Sequence, residues 1–152
     1  MGKMGKNEWQ GAVQPMALRP ERQQVAALCY RKKDDRKQVL LITSRDTGRW
    51  IIPKGWPMED RSDAKAALQE AWEEAGVTGR LTARKPIGHY RYLKLLKDGS
   101  TVPVETDVYP VKVKGLATKY PEAGQRKRKW VSPKKAAEMV QEPQLKELLL
   151  SL

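Results

Sequence analysis

Residues 55–77, a glycine-led loop running into a helical stretch with three glutamates, constrain this chain more than any other segment. An α-helix advances about 100° per residue, so Glu70, Glu73 and Glu74 fall within about 100° of arc on one face. Carboxylates this close repel one another unless a cation lies among them. Ala64, Leu68, Ala71, Trp72 and Ala75 gather on the other side and give the helix an apolar stripe to bury. Such a helix is a rigid support for an oxygen-rich metal site. A plain solvated acidic face is the simpler alternative, but the cluster runs against a chain of net charge +12.

The length, 152 residues, suits one domain with a substantial core. The excess of Lys and Arg, 30 against 18 acidic residues, implies attraction to polyanions. Nucleic acid, an anionic membrane surface and phosphorylated small molecules all satisfy it. No stretch approaches the roughly 18 apolar residues of a membrane span, so none is expected. The opening MGKMGKNEWQGAVQPMALRP lacks a continuous apolar segment and does not read as a secretory signal. It reads as a flexible N-terminal segment, residues 1–20, ahead of a single domain at 21–152. Cys29, in the run VAALCY, reads as a buried thiol in a reducing compartment, so a cytoplasmic location is expected.

Gln24–Tyr30 and Gln38–Thr43 are β-rich runs separated by the charged RKKDDRK turn, the pattern of a hairpin. Trp50–Ile52 predicts a brief strand stopped by Pro53 and Gly55. Ser62 or Asp60 can cap the glutamate helix, Asp63 suits the positive end of its dipole, and Gly76 ends it. Leu81–Leu95 and Val102–Val113 predict two strands around Asp98-Gly99. Trp130-Val131 is a last short strand, Ser132-Pro133 opens a helix to about Val140, and Leu145–Leu150 closes the chain with a helical run. Strands on both sides of a central helix, with helices last, predict an α/β fold with a mixed β-sheet flanked by helices.

The 55–77 stretch resembles the Nudix signature, G-x5-E-x7-R-E-U-x-E-E-x-G-U, where U is aliphatic. Gly55, Glu70, Ala71, Glu73, Glu74, Gly76 and Val77 match at the required spacing. Arg61 stands where the family usually has Glu, and Gln69 where it usually has Arg. Those two commonly form an ion pair bracing loop against helix, and their joint change reads as a replaced brace. The resemblance spans roughly residues 21–150 and implies a Nudix-type α/β/α sandwich. It also implies Mg²⁺, with Mn²⁺ as a substitute, bound by Glu70, Glu74 and the backbone carbonyl of Lys54 or Gly55. Glu73 would take the proton of the attacking water. Hydrolysis of a phosphoric anhydride brings an anionic nucleophile to an anionic centre, which is why it calls for cations and a carboxylate base. Hard oxygen donors favour Mg²⁺ or Mn²⁺ over zinc.

RWIIPKGW before the box and GQRKRKWVSPKKAAEMV after it resemble the diphosphoinositol polyphosphate phosphohydrolase branch of that family, whose members cleave inositol pyrophosphates and dinucleoside polyphosphates. The likeness implies phosphate contacts at Arg22, Arg45 and Arg126. Strand alternation would turn Arg128 to the same face as Arg126, and Lys54 adds a charge where the branch has glycine. The branch's Arg-Lys-His loop reads V-P-V-E here, at 102–105, which leaves dinucleoside polyphosphates and other nucleoside diphosphate compounds open beside inositol pyrophosphates. Glu105 reads as a surface residue, Glu122 as either a surface or a site carboxylate, and His89 as a packing or hydrogen-bonding residue. Trp50 reads as core, while Trp56 could stack on a base or wall the pocket. The leading expectation is an Mg²⁺-dependent pyrophosphohydrolase with a polyanionic small-molecule substrate. The alternatives are an RNA 5′-end pyrophosphohydrolase and a non-catalytic sensor of Nudix fold, with nucleic acid the less favoured partner.

Overall fold

The computed structural model describes residues 22–152. The flexible segment read at 1–20 lies outside the described residues. Eight strands form one mixed sheet: β1 (Gln23–Lys33), β2 (Arg36–Thr43), β3 (Trp50–Ile51), β4 (Lys54–Gly55), β5 (Val77–Leu81), β6 (Gly88–Leu95), β7 (Thr101–Leu116) and β8 (Arg128–Val131). Helix α1 (Asp63–Ala75) lies between β4 and β5 in the chain, and α2 (Pro133–Met139) and α3 (Pro143–Leu150) follow β8. The β1–β7 pairing is parallel and the others antiparallel. This is the predicted α/β class: a mixed sheet between helices.

β1 shows why the sheet is covered on both sides. Val25, Ala27 and Cys29 enter the cluster under α1, while Ala26 and Leu28 enter the one under α2 and α3. Period-two alternation with both faces apolar leaves no wet face, so helices must cover each. Cys29 is fully buried and its thiol is pushed up to about 12 by that burial, as a structural thiol should be. The β1–β2 hairpin turns at Asp34 and Asp35, both at positive φ, the backbone that a two-residue loop between twisted strands requires.

The run expected as one strand from Leu81 to Leu95 is divided. Val77–Leu81 pairs with the second half of β7 and Gly88–Leu95 with its first half, with Lys85-Pro86 in the connection. Proline has no N–H for a ladder, which breaks the run. β5 escaped sequence reading because Thr78, Gly79 and Arg80 are exposed on a strand paired only to β7. The last strand begins two residues earlier than expected, at Arg128, and α3 opens at Pro143. No helix among the described residues is long and apolar enough to cross a membrane.

Helix α1 begins at Ser62, whose hydroxyl accepts from the Lys65 N–H, and ends at Gly76 with φ +67°. A Cβ at Gly76 would lie 2.6 Å from the Tyr120 ring, so glycine is required for space as well as for backbone. The buried stripe differs from the predicted one. Ala64, Ala66, Ala67, Ala71, Glu74 and Ala75 are buried, whereas Leu68 and Trp72 are only partly so. Alanine lets the helix approach β1 closely, and one glutamate goes inward with it.

Candidate active site

Glu74 is the inward glutamate. The Lys54 backbone N–H donates to its Oε1 at 3.3 Å, and the Arg126 guanidinium lies 3.4 Å from its Oε2. Burial pushes its carboxyl above the usual glutamate range, against the pull of Arg126 and Lys54. One turn earlier, Glu70 rests on Gly55. A Cβ on that glycine would lie 2.5 Å from each Glu70 carboxylate oxygen, so the loop leaves a cradle that any side chain would fill. Burial, then the nearby Glu74 and Glu73, push Glu70 up to about 8.

Arg126 completes this cluster from the other side of the cleft. Its side chain is only 6% exposed; it reaches Glu122 Oε1 at 3.0 Å and donates to the Thr43 carbonyl at 3.2 Å. Glu122 arrives because its own N–H donates to the Glu73 carbonyl, which pins the 117–127 loop to the end of α1. Removing one member of so buried a charge group leaves the rest uncompensated. Arg45, half exposed, lies 3.9 Å from Glu122 and donates to Gln125. Lys54 has its ammonium 5.0 Å from the Tyr92 ring, and burial lowers it to about 8.

These groups surround a cleft of about 280 Å³ whose walls include Gln24, Arg45, Lys54, Gly55, Trp56, Glu70, Glu74, Lys94, Glu122 and Arg126. Six of the expected site residues therefore meet: Arg45, Lys54, Gly55, Glu70, Glu74 and Arg126. Three do not line it. Arg22 accepts a bond from the Glu105 N–H through its carbonyl, at the start of β1. Glu73 is held on the flank of α1, where the Gln69 amide donates to its Oε2 at 2.8 Å. Arg128 turns to the same side as Arg126 but donates to the Ala75 and Ala117 carbonyls at 2.9 and 3.0 Å, with Tyr120 5.0 Å from its guanidinium. It serves the C-terminal end of α1, whose last turn has no basic residue of its own, rather than the cleft. The expected alternation does not apply, because Arg126 precedes β8, which begins at Arg128.

The brace at the two departing positions exists. Arg61 donates to Gln69 Oε1 at 3.1 Å, and Gln69 passes a hydrogen bond to Glu73. Sequence reasoning missed Lys94 and Gln24, which reach the cleft only through the β6–β7 and β1 pairings. Glu105 is at the surface with His89 and Arg91 nearby, and Trp50 packs on the core under α2 and α3.

The donor set fits a hard divalent cation in kind: paired carboxylates, oxygen donors only, and a cradle that holds Glu70 at the loop. Among the described residues no three His, Cys, Asp or Glu side chains converge as a ready cage. Arg126 supplies the positive charge among the carboxylates.

Fold and site together define an α/β/α sandwich built around a glutamate-bearing loop and helix. The family model for the NUDIX domain matches residues 22–151, and the chain belongs to the Nudix family. Nudix hydrolase 21, chloroplastic, of Arabidopsis thaliana is 35% identical over 136 residues, 84% of this chain and 64% of that protein. Nudix hydrolase 4 of the same plant is 34% identical over 116 residues, 74% of this chain and 52% of its own length. The chain thus spans less than two thirds of either plant relative. Human diphosphoinositol polyphosphate phosphohydrolase 3-alpha is 29% identical over 122 residues, 79% of this chain and 70% of that one. Two solved structures share the fold. A C. elegans Ap4A hydrolase in a binary complex has TM-score 0.54 at 20% identity, covering 84% of this chain and 92% of its own. The NUDIX domain of Shewanella oneidensis NrtR, complexed with ADP ribose, has TM-score 0.63 at 17% identity, covering 90% and 88%.

Proposed function

We propose that this chain is a Mg²⁺-dependent pyrophosphohydrolase that cleaves phosphoanhydride bonds in a highly phosphorylated small molecule, an inositol pyrophosphate or a dinucleoside polyphosphate. The observation that carries the reading is the meeting of Glu70 and Glu74 with Arg45, Lys54 and Arg126 in one cleft. Acids alone would repel a polyphosphate, and bases alone would bind it without chemistry. When bound at Glu70, Glu74 and the Lys54–Gly55 backbone, the divalent ion supplies charge neutralisation and a polarised water. Mn²⁺ serves in its place. Arg45, Arg126 and Lys54 hold phosphate oxygens, and Lys54, lowered to about 8, can also give up a proton near neutral pH. Relatives named for Nudix hydrolase activity and for diphosphoinositol polyphosphates support the class.

Glu73, oriented by Gln69, accepts the proton of the attacking water. A second reading gives that proton to Glu122, because Glu122 lines the cleft and Glu73 does not. Glu73→Gln and Glu122→Gln separate them: the acceptor's variant loses turnover by about 10²-fold or more with folding intact.

The reading itself is tested by incubating the protein with Mg²⁺ or Mn²⁺ and a substrate panel. Diadenosine polyphosphates, an inositol pyrophosphate, ADP-ribose, nucleoside triphosphates and 5′-triphosphate RNA make up the panel. Turnover of a dinucleoside polyphosphate or inositol pyrophosphate is expected. Turnover of the RNA alone moves the activity to RNA ends, and no release from any compound leaves a non-catalytic sensor.

A further inference from the structure

Helices α2 and α3 do not cover their side of the sheet over its whole length. They pack over Ala26 and Leu28, and beyond these the face emerges at Tyr30, which is only half-buried. The registers set Tyr30 beside Lys112 of β7 and Lys112 beside Arg80 of β5, while Lys32 of β1 lies opposite Lys37 of β2. Successive side chains of a strand alternate, so Lys32 and Lys114 share the side of Tyr30 and Lys112. Lys32, Lys37, Arg80, Lys112 and Lys114 therefore stand on one face of the adjacent strands β2, β1, β7 and β5. Among the described residues none of these cations is in an ion pair, and the hairpin's two acids, Asp34 and Asp35, sit in its turn.

Like charges directly opposite one another across a sheet are destabilising, and Arg80 with Lys112 and Lys32 with Lys37 are two such pairs. Folding gains nothing from them, whereas a bound anion gains from both members. Beside them lies a hollow of about 350 Å³ lined by Gly79, Arg80, Lys112, Val113 and Lys114. The β5–β7 ladder shifts register there, between Thr78 and Gly79, and a Cβ at Gly79 would run into the Lys112 carbonyl. The hollow is thus built into the backbone. It is also separate from the cleft. Gln24 lines the cleft, and Tyr30 stands about 20 Å further along β1.

We infer that this basic end of the sheet binds a single-stranded nucleic acid, with phosphates running across Lys37, Lys32, Lys112, Lys114 and Arg80 and one unstacked base in the hollow. The cations are spread over a flat face of four strands, which suits a chain of phosphates. The hollow suits a base, and a single strand offers unstacked bases where a duplex does not. A membrane surface would call for apolar side chains to insert beside the cations. The large exposed ones among the described residues, Trp56, Ile87, Leu93, Leu95, Leu150 and Leu152, all lie on other segments. Binding here needs no catalysis and holds whether or not the cleft hydrolyses anything.

The probe is an oligouridylate of about 15 residues with a 5′-hydroxyl and a 3′ fluorescein, which offers the cleft no phosphorylated 5′ end. Fluorescence anisotropy gives its affinity for the whole chain as a function of salt. In Arg80→Gln/Lys112→Gln/Lys114→Gln the slope of log K against log[salt] should flatten by about 2, since each lost phosphate contact removes about 0.7, and affinity at about 0.1 M salt should fall by about tenfold or more. Lys32→Gln/Lys37→Gln should flatten the slope by about 1.4 on the same reckoning. Removing equal charge elsewhere, in Lys65→Gln/Lys97→Gln/Lys119→Gln, should change affinity by less than about twofold. Equal losses in the two triple variants overturn the proposal. Diadenosine tetraphosphate in excess should leave the oligonucleotide bound; displacement would put the strand in the cleft and overturn it. Tighter binding of the matching duplex also overturns it, as does stronger binding to phosphatidylserine vesicles that the first triple variant loses. Thermal melting confirms that each variant is folded; if the first triple variant is not, Lys32→Gln/Lys37→Gln decides.

Discussion

Adding one methyl group at Gly55 tests whether the Glu70 carboxylate is the ion's ligand. In Gly55→Ala the new Cβ would lie 2.5 Å from both Glu70 carboxylate oxygens and nearer still to its Cδ. An ordinary contact is about 3.5 Å, so the carboxylate must retreat by about 1 Å. What retreats is the free end of a flexible side chain, and Gly55 is strand backbone paired with Val25, so folding loses only about 1 kcal/mol. That corresponds to a fall in Tm of about 3 °C. Chemistry loses far more, because metal–ligand distances tolerate about 0.2 Å and misplacing a reacting group by about 1 Å costs about 100-fold. Mg²⁺-dependent turnover and thermal melting of the same preparation give the two numbers. A variant with turnover within a few-fold of wild type would show that Glu70 is not the ligand. A collapse in Tm would show that the clash is relieved through the backbone, which refutes the reasoning from the other side.

The other predictions concern the brace, the helix end and pH. Gln69→Ala should cost about 1 kcal/mol and lower kcat by freeing Glu73, and Arg61→Ala should do the same more weakly; unchanged kcat in Gln69→Ala would show that orienting Glu73 is irrelevant. Arg128→Ala should destabilise by about 2 kcal/mol in chemical denaturation and leave KM unchanged, and Arg128→Lys should not restore it, since an ammonium lacks the planar fork. A raised KM with unchanged stability would return Arg128 to the substrate. For metal-free protein, Glu70 is raised from 4.5 to about 8, so the fold holds its proton more tightly than the unfolded chain does. Its contribution to stability is complete below about pH 4.5 and is lost as pH rises towards 8. Mg²⁺ needs the ionised form and should reverse that slope, which Tm against pH with and without the ion will reveal; parallel curves would count against the Glu70 site.

Much of this was legible in residue spacing. The glutamate helix, its Ser62 and Gly76 ends and both hairpin turns follow from local chemistry, because caps and turns are decided within a few residues. Gln24 and Lys94 were not legible as site residues, since each reaches the cleft through a strand fixed by distant pairing, and the open reading of Glu122 is decided only by the loop that carries it into the cleft. Arg126 and Arg128 mark the limit well. Both reach towards α1 although Arg126 lies ahead of β8, where alternation does not hold, and one lies among carboxylates while the other donates to the Ala75 and Ala117 carbonyls. The Glu74 side chain points inward because alanines let the helix settle closely on β1, a consequence of packing that helical periodicity does not register.

The Arg61–Gln69 contact also bears on the order in which such positions can change. A Glu-and-Arg pair, the usual family arrangement, can reach Arg and Gln through two single replacements. Replacing the helix arginine first leaves a glutamate facing an amide, which can still donate to it. Replacing the loop glutamate first sets two guanidinium groups against each other, on a surface already strongly positive. Only the first route keeps the loop tied to the helix at each step. The unit under constraint is the complementary pair, and a pattern that scores its two letters separately counts as two defects what is one continuous contact.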